Sequence, residues 1–553
     1  MARLILPFIF FLAIQPLSAQ FFKDQKDISK SEGFFDFYYQ DKTGKVWLEV
    51  NDLEREFLYV NALSQGLGSN DIGLDRGQLG DGVVVKFIRS GGKLLLVQPN
   101  QKFRAITDNE QEKKSIQEAF AKSVLFGFEI KEVKGSSYLI DITDFIVRDA
   151  HGVAQRLKSQ GQGSYKLDRS RSGINTERTK AFPKNVEFDA ILTFTGQAES
   201  WEIRSVAPNS SAVTAYQHHS FVKLPEAGYK PRVFDPRSGS YPMAYMDYAT
   251  AVNQPIVKRF IYRHRLEKKN PGAEKSEARE PIVYYLDPGT PEPVRSALLE
   301  GARWWNQAFE AAGFIDGFQV KMLPDDADPL DLRYNVIQWV HRSTRGWSYG
   351  SSITDPRTGE IIKGHVSLGS LRIRQDFMIA QSLWASYKEG ATDDQVALEM
   401  ALARIRQLSA HEVGHTLGFS HNYAASTVNR SSVMDYPHPW IKAREGQLDF
   451  TDAYTVGIGD WDKVAVTYSY GEFQGDEETA LRSLLDKAFE QGHRYITDAD
   501  ARPAGRSNIH AHLWDNGNDI TDELENVLEV RRIGIGKFSP DNIRIGEPYS
   551  VLE

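Results

Sequence analysis

His411, Glu412, His415 and His421 stand in the order H-E-x-x-H-x-x-G-x-x-H, a spacing that can hold one metal ion and set a carboxylate beside it. Residues four apart on a helix share a face, so the imidazoles of His411 and His415 can reach the same ion. Glu412 is rotated about 100° from His411, near enough to hold a metal-bound water without becoming a ligand. Gly418 lets the chain leave the helix with a positive φ, which a residue with a Cβ resists, and the turn brings back His421 as third ligand. A chance match to the whole pattern at this composition is on the order of 1 in 13,000 per chain, so unrelated helix-end histidines explain it poorly. Three histidines with one position open make a catalytic zinc site, because a structural site closes its tetrahedron with a fourth protein ligand.

The flanking sequence supplies the helix that such a site needs. Thr392 and Gln395 stand in capping-box relation, and Asp393 and Asp394 favour the positive end of a helix dipole. Ala401, Ile405 and Leu408 then lead at spacings of four and three into His411 and His415, so the metal-facing side continues a core-facing stripe. Met434 follows thirteen residues after His421, within Ser432-Val433-Met434-Asp435-Tyr436-Pro437. His438 is near, but with three ligands already found it reads as a surface residue.

The chain has 553 residues, 41% hydrophobic and 25% charged, enough for two to four globular domains. Residues 1–19 read as a secretory signal peptide: Arg3, an apolar run from Leu4 to Leu17, and small residues before cleavage after Ala19. That run is too short to span a bilayer, and no later stretch is long and apolar enough, so no transmembrane segment is expected after cleavage. With no cysteine there are no disulfides and no thiol for lipid attachment, which suggests an exported bacterial protein: periplasmic, cell-surface or secreted. A net charge of −8 without a basic block gives no support for a nucleic-acid partner.

Residues 20–270 read as a β-rich domain, with strands at Val46–Val50, Phe57–Leu63, Val83–Ile88, Leu94–Val97, Tyr138–Val147, Val186–Thr195 and Tyr216–Leu224, a hairpin at Gly91-Gly92, and one helix from Asn109 to about Leu125. Adjacent strand residues face opposite ways, so His218 and His219 cannot share one ion. Asp235 lies in a charged loop and reads as a turn residue, although a carboxylate in a propeptide could also cap a zinc. The stretch from Leu266 to Glu280 is polar and turn-prone, placing a linker at 271–280 and making the N-terminal domain either a propeptide or a permanent accessory domain. From residue 281 the pattern turns α/β. A strand at Ile282–Leu286 precedes a helix capped by Thr290 with the inner stripe Val294, Leu298, Gly301, Trp305, Ala308 and Ala312. Strands follow at Phe318–Leu323 and Tyr334–His341, then a hairpin between Trp347 and Ser370 with His365 as a solvated edge residue, and a helix from Tyr454 to Tyr470. Residues 471–553 read as a helical extension in which Asp515-Asn516-Gly517-Asn518-Asp519 caps a helix. The calcium-loop alternative lacks a glutamate at position 526.

This order of elements resembles the metzincin catalytic domain over about residues 281–470. The wording HEVGHTLGFSHN followed by SVMDYP, behind a large β-rich region, resembles the large secreted bacterial zinc-dependent metalloproteases related to matrixins. The gap from His421 to Met434 is longer than in typical matrixins and shorter than in astacins, which leaves the branch open. The resemblance implies an α+β multidomain fold, one catalytic Zn2+ on His411, His415 and His421, and Met434 as the Met-turn floor beneath it. It implies that Tyr436 approaches the metal and stabilises the transition state, the other reading being a packed turn residue before Pro437. It also implies that relatives continue beyond Glu553, so a truncated C-terminus is expected. The expected activity is zinc-dependent endopeptidase hydrolysis of extracytoplasmic polypeptides through a zinc-bound water activated by Glu412. Two alternatives stay open: a zinc hydrolase of a non-peptide substrate, and a non-catalytic surface-binding protein with a structural metal.

Overall fold

Alternate residues of a strand share a face, so the aromatic and β-branched runs of the N-terminal half can bury one apolar surface together. The computed structural model describes residues 21–22, 27–388 and 393–552; the leader segment 1–19 and Thr392 lie outside the described residues. Strands between Ile28 and Val222 form a 13-stranded antiparallel sheet, with the long pair Asn185–Gly196 and Ala212–Val222 beside Phe57–Gln65. Phe221 lies at the centre of its core, with its ring 5.1–6.4 Å from those of Phe57, Phe87, Phe145 and Phe188. Such aromatic contacts add to the area they remove from water.

Two expected boundaries move, each for a local reason. The strand expected to run to Val147 stops at Asp141, whose carboxylate accepts the Thr143 N–H at 3.0 Å and opens a short helix, Thr143–Ile146. The helix expected to reach Leu125 is Glu110–Ala119, capped by the Asn109 side chain. Beyond it Ser123–Lys134 is a strand, pairing with Lys93–Gln98 and Ser137–Asp141.

The C-terminal half is built on a second sheet. Phe318–Met322, Ile282–Leu286, Asn335–Val340 and Glu360–Gly369 lie parallel in that order, and Tyr349–Thr354 pairs antiparallel with the last of them. The edge is therefore the outgoing arm of the hairpin. His365, expected on a solvated edge, sits on an inner strand, 8% exposed and covered by Gly77 of the N-terminal half. Thr290 does not cap the following helix: its hydroxyl donates to Asp287 O, and the helix runs Val294–Arg303 and resumes over Trp305–Ala311. The helix expected from Tyr454 begins at Asp460, because Gly457 has φ +88° and Gly459 is extended, neither of which continues a helix. Helices Glu477–Glu490 and Ile520–Lys537 follow, the second capped by Asp519. Among the described residues no helix is long and apolar enough to cross a membrane.

The two halves are clasped by charge as well as by shape. Asp75 and Arg342 form a two-pronged ion pair at 2.9 Å with side chains 6% and 2% exposed. Removing one partner would strand the other charge in the interior, a cost of about 3–5 kcal/mol. Arg263–His264 pairs in parallel with Glu360–Ile361 and so joins the second sheet. The charged stretch after it is tied down: Lys268, 5% exposed, donates to the carbonyls of Ala273 and Glu274, and Ser276–Glu277 pairs with Phe314–Ile315.

His219 gives the N-terminal half an acid sensitivity. Its fully buried ring bonds Tyr59 and Ile146 O, and burial lowers its pKa from 6.5 to about 3, with Arg148 adding to the effect. The unfolded chain therefore takes up a proton that the folded chain refuses, so this contribution is complete above pH 6.5 and shrinks as pH falls toward 3. At pH 5 the loss is about 2 kcal/mol. We expect urea midpoints of the wild type to drop from pH 7 to pH 5, with a smaller drop in His219→Gln.

Candidate metal centre

Fifteen of the 22 residues of the helix Gln395–Thr416 are buried, polar Arg404, Gln407, His411 and Glu412 among them. Neighbours fix it from several directions. Ser409 donates to Leu298 O at 2.7 Å, and the Trp305 indole donates to Ala410 O at 2.7 Å. A Cβ on Gly414 would overlap the Met434 sulfur and lie 2.6 Å from the Trp305 ring, so the helix, the Met-turn and Trp305 pack closer than any other residue permits. The helix ends as expected. Gly418 has φ +100°, and the Phe419 and Leu417 N–H groups return to the Gly414 and Val413 carbonyls.

His411, His415 and His421 converge, each offering a ring nitrogen within 4.8 Å of the others. Their Nδ1 atoms are engaged elsewhere: His411 with Val433 O at 2.8 Å, His415 with Phe419 O at 2.8 Å, and His421 with the Asp498 carboxylate at 3.1 Å. A proton on Nδ1 leaves the Nε2 lone pair free for a metal. The Nε2 atoms of His411 and His421 are buried and have no hydrogen-bond partner. Burial holds His411 well below the usual histidine pKa and lowers His415 to about 4, with repulsion from the neighbouring histidines adding to both. Convergent imidazoles, with His411 and His415 held neutral by burial and the buried Nε2 atoms of His411 and His421 unpartnered, fit zinc.

Glu412 is 4% exposed, and burial pushes its pKa up to about 8 against the opposing pull of Arg404 and the Gly350 amide. That amide belongs to the edge strand Tyr349–Thr354, which packs so close that a Cβ on Gly350 would overlap the Glu412 carbonyl. A cation at the histidines would favour the ionised carboxylate. Met434, 2% exposed, lies beneath the helix. Its turn is held from behind by Asp462, whose buried carboxylate accepts Ser432 Oγ at 2.6 Å and the N–H groups of Val433 and Gly459 at 2.9 Å. Tyr436 flanks the histidines, its ring centre 4.5 Å from His421 and 5.2 Å from His411.

Sequence reasoning missed four supporting residues, Asp462 behind the Met-turn and three more. Asp498 begins the short helix Asp498–Ala501, and no local pattern links it to a histidine 77 residues earlier. Tyr423 Oη donates to Asp498 at 3.0 Å and lies 3.1 Å from His421 Nδ1. Tyr241, from the N-terminal half, sets its hydroxyl 3.1 Å from His415 Nδ1. The remaining candidates lie elsewhere. His218 faces Glu187 and Asp189 while His219 faces Tyr59, on opposite sides of one strand. Asp235 accepts the Arg237 amide and guanidinium in a turn. His438 pairs with Glu523 at 3.0 Å.

Residues 393–553 match the family model Met-zincin, residues 77–269 match a domain of unknown function (DUF5117), and residues 19–66 match another (DUF5118). No curated protein and no solved structure matches the chain.

The carboxylate behind His421 should be felt in metal affinity. Asp498→Ala is expected to weaken zinc binding about 10- to 100-fold in a chelator competition, with Asp498→Asn intermediate and the circular dichroism of both unchanged. An affinity equal to that of the wild type would remove Asp498 from the support of the site.

Proposed function

Starting from a zinc metallopeptidase domain of the Met-zincin family at residues 393–553, we propose that the chain is an endopeptidase acting on polypeptides outside the cytoplasm, with Glu412 as its general base. The observation that carries this reading is the position of the edge strand. Among the described residues Tyr349–Thr354 pairs on one side only, with Glu360–Gly369, and its Gly350 touches the active-site helix at Glu412 and His415. A strand edge offers its N–H and C=O groups to an extended peptide, so a bound polypeptide would run past the histidines whatever its side chains. The apolar leader at residues 1–19 supports export.

Held by His411, His415 and His421, zinc would supply Lewis acidity toward the scissile carbonyl and the attacking water. Glu412 takes the proton from that water and returns it to the leaving amine nitrogen. A cation at the histidines favours the ionised carboxylate that can accept this proton. The Gly350 amide hydrogen-bonds the carboxylate, on a helix that is buried around it. Tyr436, whose ring lies beside His421 and His411, would donate its hydroxyl to the developing oxyanion.

Residues 20–553 and their Glu412→Gln variant, incubated with a quenched mixed-sequence peptide library, test the assignment. Cleavage should fall by at least about 10²- to 10⁴-fold in the variant while both proteins keep one zinc per chain. Cleavage that survives the substitution would show that Glu412 is not the base.

A further inference from the structure

The turn between the second and third histidines is built against the other half of the chain. Ser240 and Phe419 form an antiparallel bridge, the Tyr241 N–H donates to Gly418 O at 2.8 Å, and the Ser420 N–H donates to Gly239 O at 2.9 Å. A Cβ on Gly418 would overlap the Tyr262 carbonyl, so this glycine answers to the neighbouring segment as well as to its own φ. Beneath the turn, the His264 ring is 6% exposed and lies 3.1 Å from Thr416 O, at the end of the active-site helix.

The same segment is anchored in the catalytic half along its length. Arg232, 6% exposed, donates to Tyr468 O at 2.6 Å and Gly471 O at 2.9 Å and pairs with Glu477. Ile261 is fully buried with Tyr468, Leu481 and Leu485, and Arg263–His264 is a strand of the second sheet. A removable propeptide has to leave a complete fold behind it. Here removal would take away a strand, the buried Asp75–Arg342 ion pair and the partners of the ligand-bearing turn.

Tyr241 is the point at which this segment meets the site. Its hydroxyl shares His415 Nδ1 with Phe419 O, on the side of the ring facing away from the metal. It therefore acts on the ligand's orientation from behind. We propose that residues 232–264 are a permanent wall of the metal centre and that Tyr241 is a positioning residue for His415; the proposal rests on the zinc metallopeptidase reading above.

Asn270 to Gly272 form an exposed loop where the full-length, zinc-loaded protein can be opened by an inserted protease recognition sequence. After the cut we expect both fragments to co-elute in gel filtration, with one zinc per chain and peptide cleavage within twofold of the uncut protein. Release of the N-terminal fragment under native conditions, with or without a rise in activity, overturns the permanent wall. Co-elution and zinc content are read whether or not any peptide is cut, so inactivity of intact, zinc-loaded protein would count against the proposed reaction alone. Tyr241→Phe keeps the ring and the segment but removes the hydroxyl. It should weaken zinc binding about tenfold in chelator competition while the Tm of the metal-free protein stays unchanged, and wild-type affinity in this variant overturns the positioning role.

Discussion

Three imidazoles can share one ion only if each turns an unprotonated ring nitrogen inward. The structure meets this requirement from the outside, by giving every Nδ1 an acceptor: Val433 O in the Met-turn, Phe419 O in the turn after the helix, and the Asp498 carboxylate near the C-terminus. For His411 and His415 burial does the rest, since charging either ring in this setting costs more than leaving it neutral. The Met-turn thus contributes a carbonyl as well as a sulfur. Val433 O accepts from both His411 and Gln407, so the floor of the site and the orientation of the first ligand are set by one peptide unit.

The helix that carries two of the ligands is held by close approach. Gly414 admits the Met434 sulfur and the Trp305 ring on one side, and Gly350 brings the edge strand against Glu412 on another. Trp305 also stacks on Phe419 at 5.3 Å, so one indole braces both the helix and the turn that follows it. Contacts of this kind leave little room for the ligands to drift, and preorganisation of a first shell depends on such a surround.

Much of the site was legible because its geometry is local. The four-residue spacing of His411 and His415, the adjacent Glu412 and the turn glycine Gly418 follow from helix geometry alone, and the structure places them as that geometry requires. The β-rich N-terminal half and the α/β character beyond it were legible from alternation and periodicity. Boundaries failed where one side chain decides them: Asp141 ends a strand by binding the Thr143 amide, and Thr290 bonds backward instead of capping. His365 looked solvated because a sequence does not show that another half of the chain will cover its strand. Asp498, Tyr241 and Asp462 were illegible for the same reason. Their partners lie 77, 174 and about 30 residues away, and nothing in their neighbours' identities points to them.

The scatter of these partners along the chain bears on how the protein is made. A ribosome that has just added His421 has incorporated all three histidines and Tyr241, yet the carboxylate behind His421 is still 77 residues from synthesis. A chain at that stage holds a loose chelator, and its finished counterpart a fixed one. Contacts between residues so distant are slow to form, since loop closure must precede the interactions that reward it. Metal capture would therefore follow assembly of the C-terminal helices, and tight retention of the ion would mark a chain that has reached its final form.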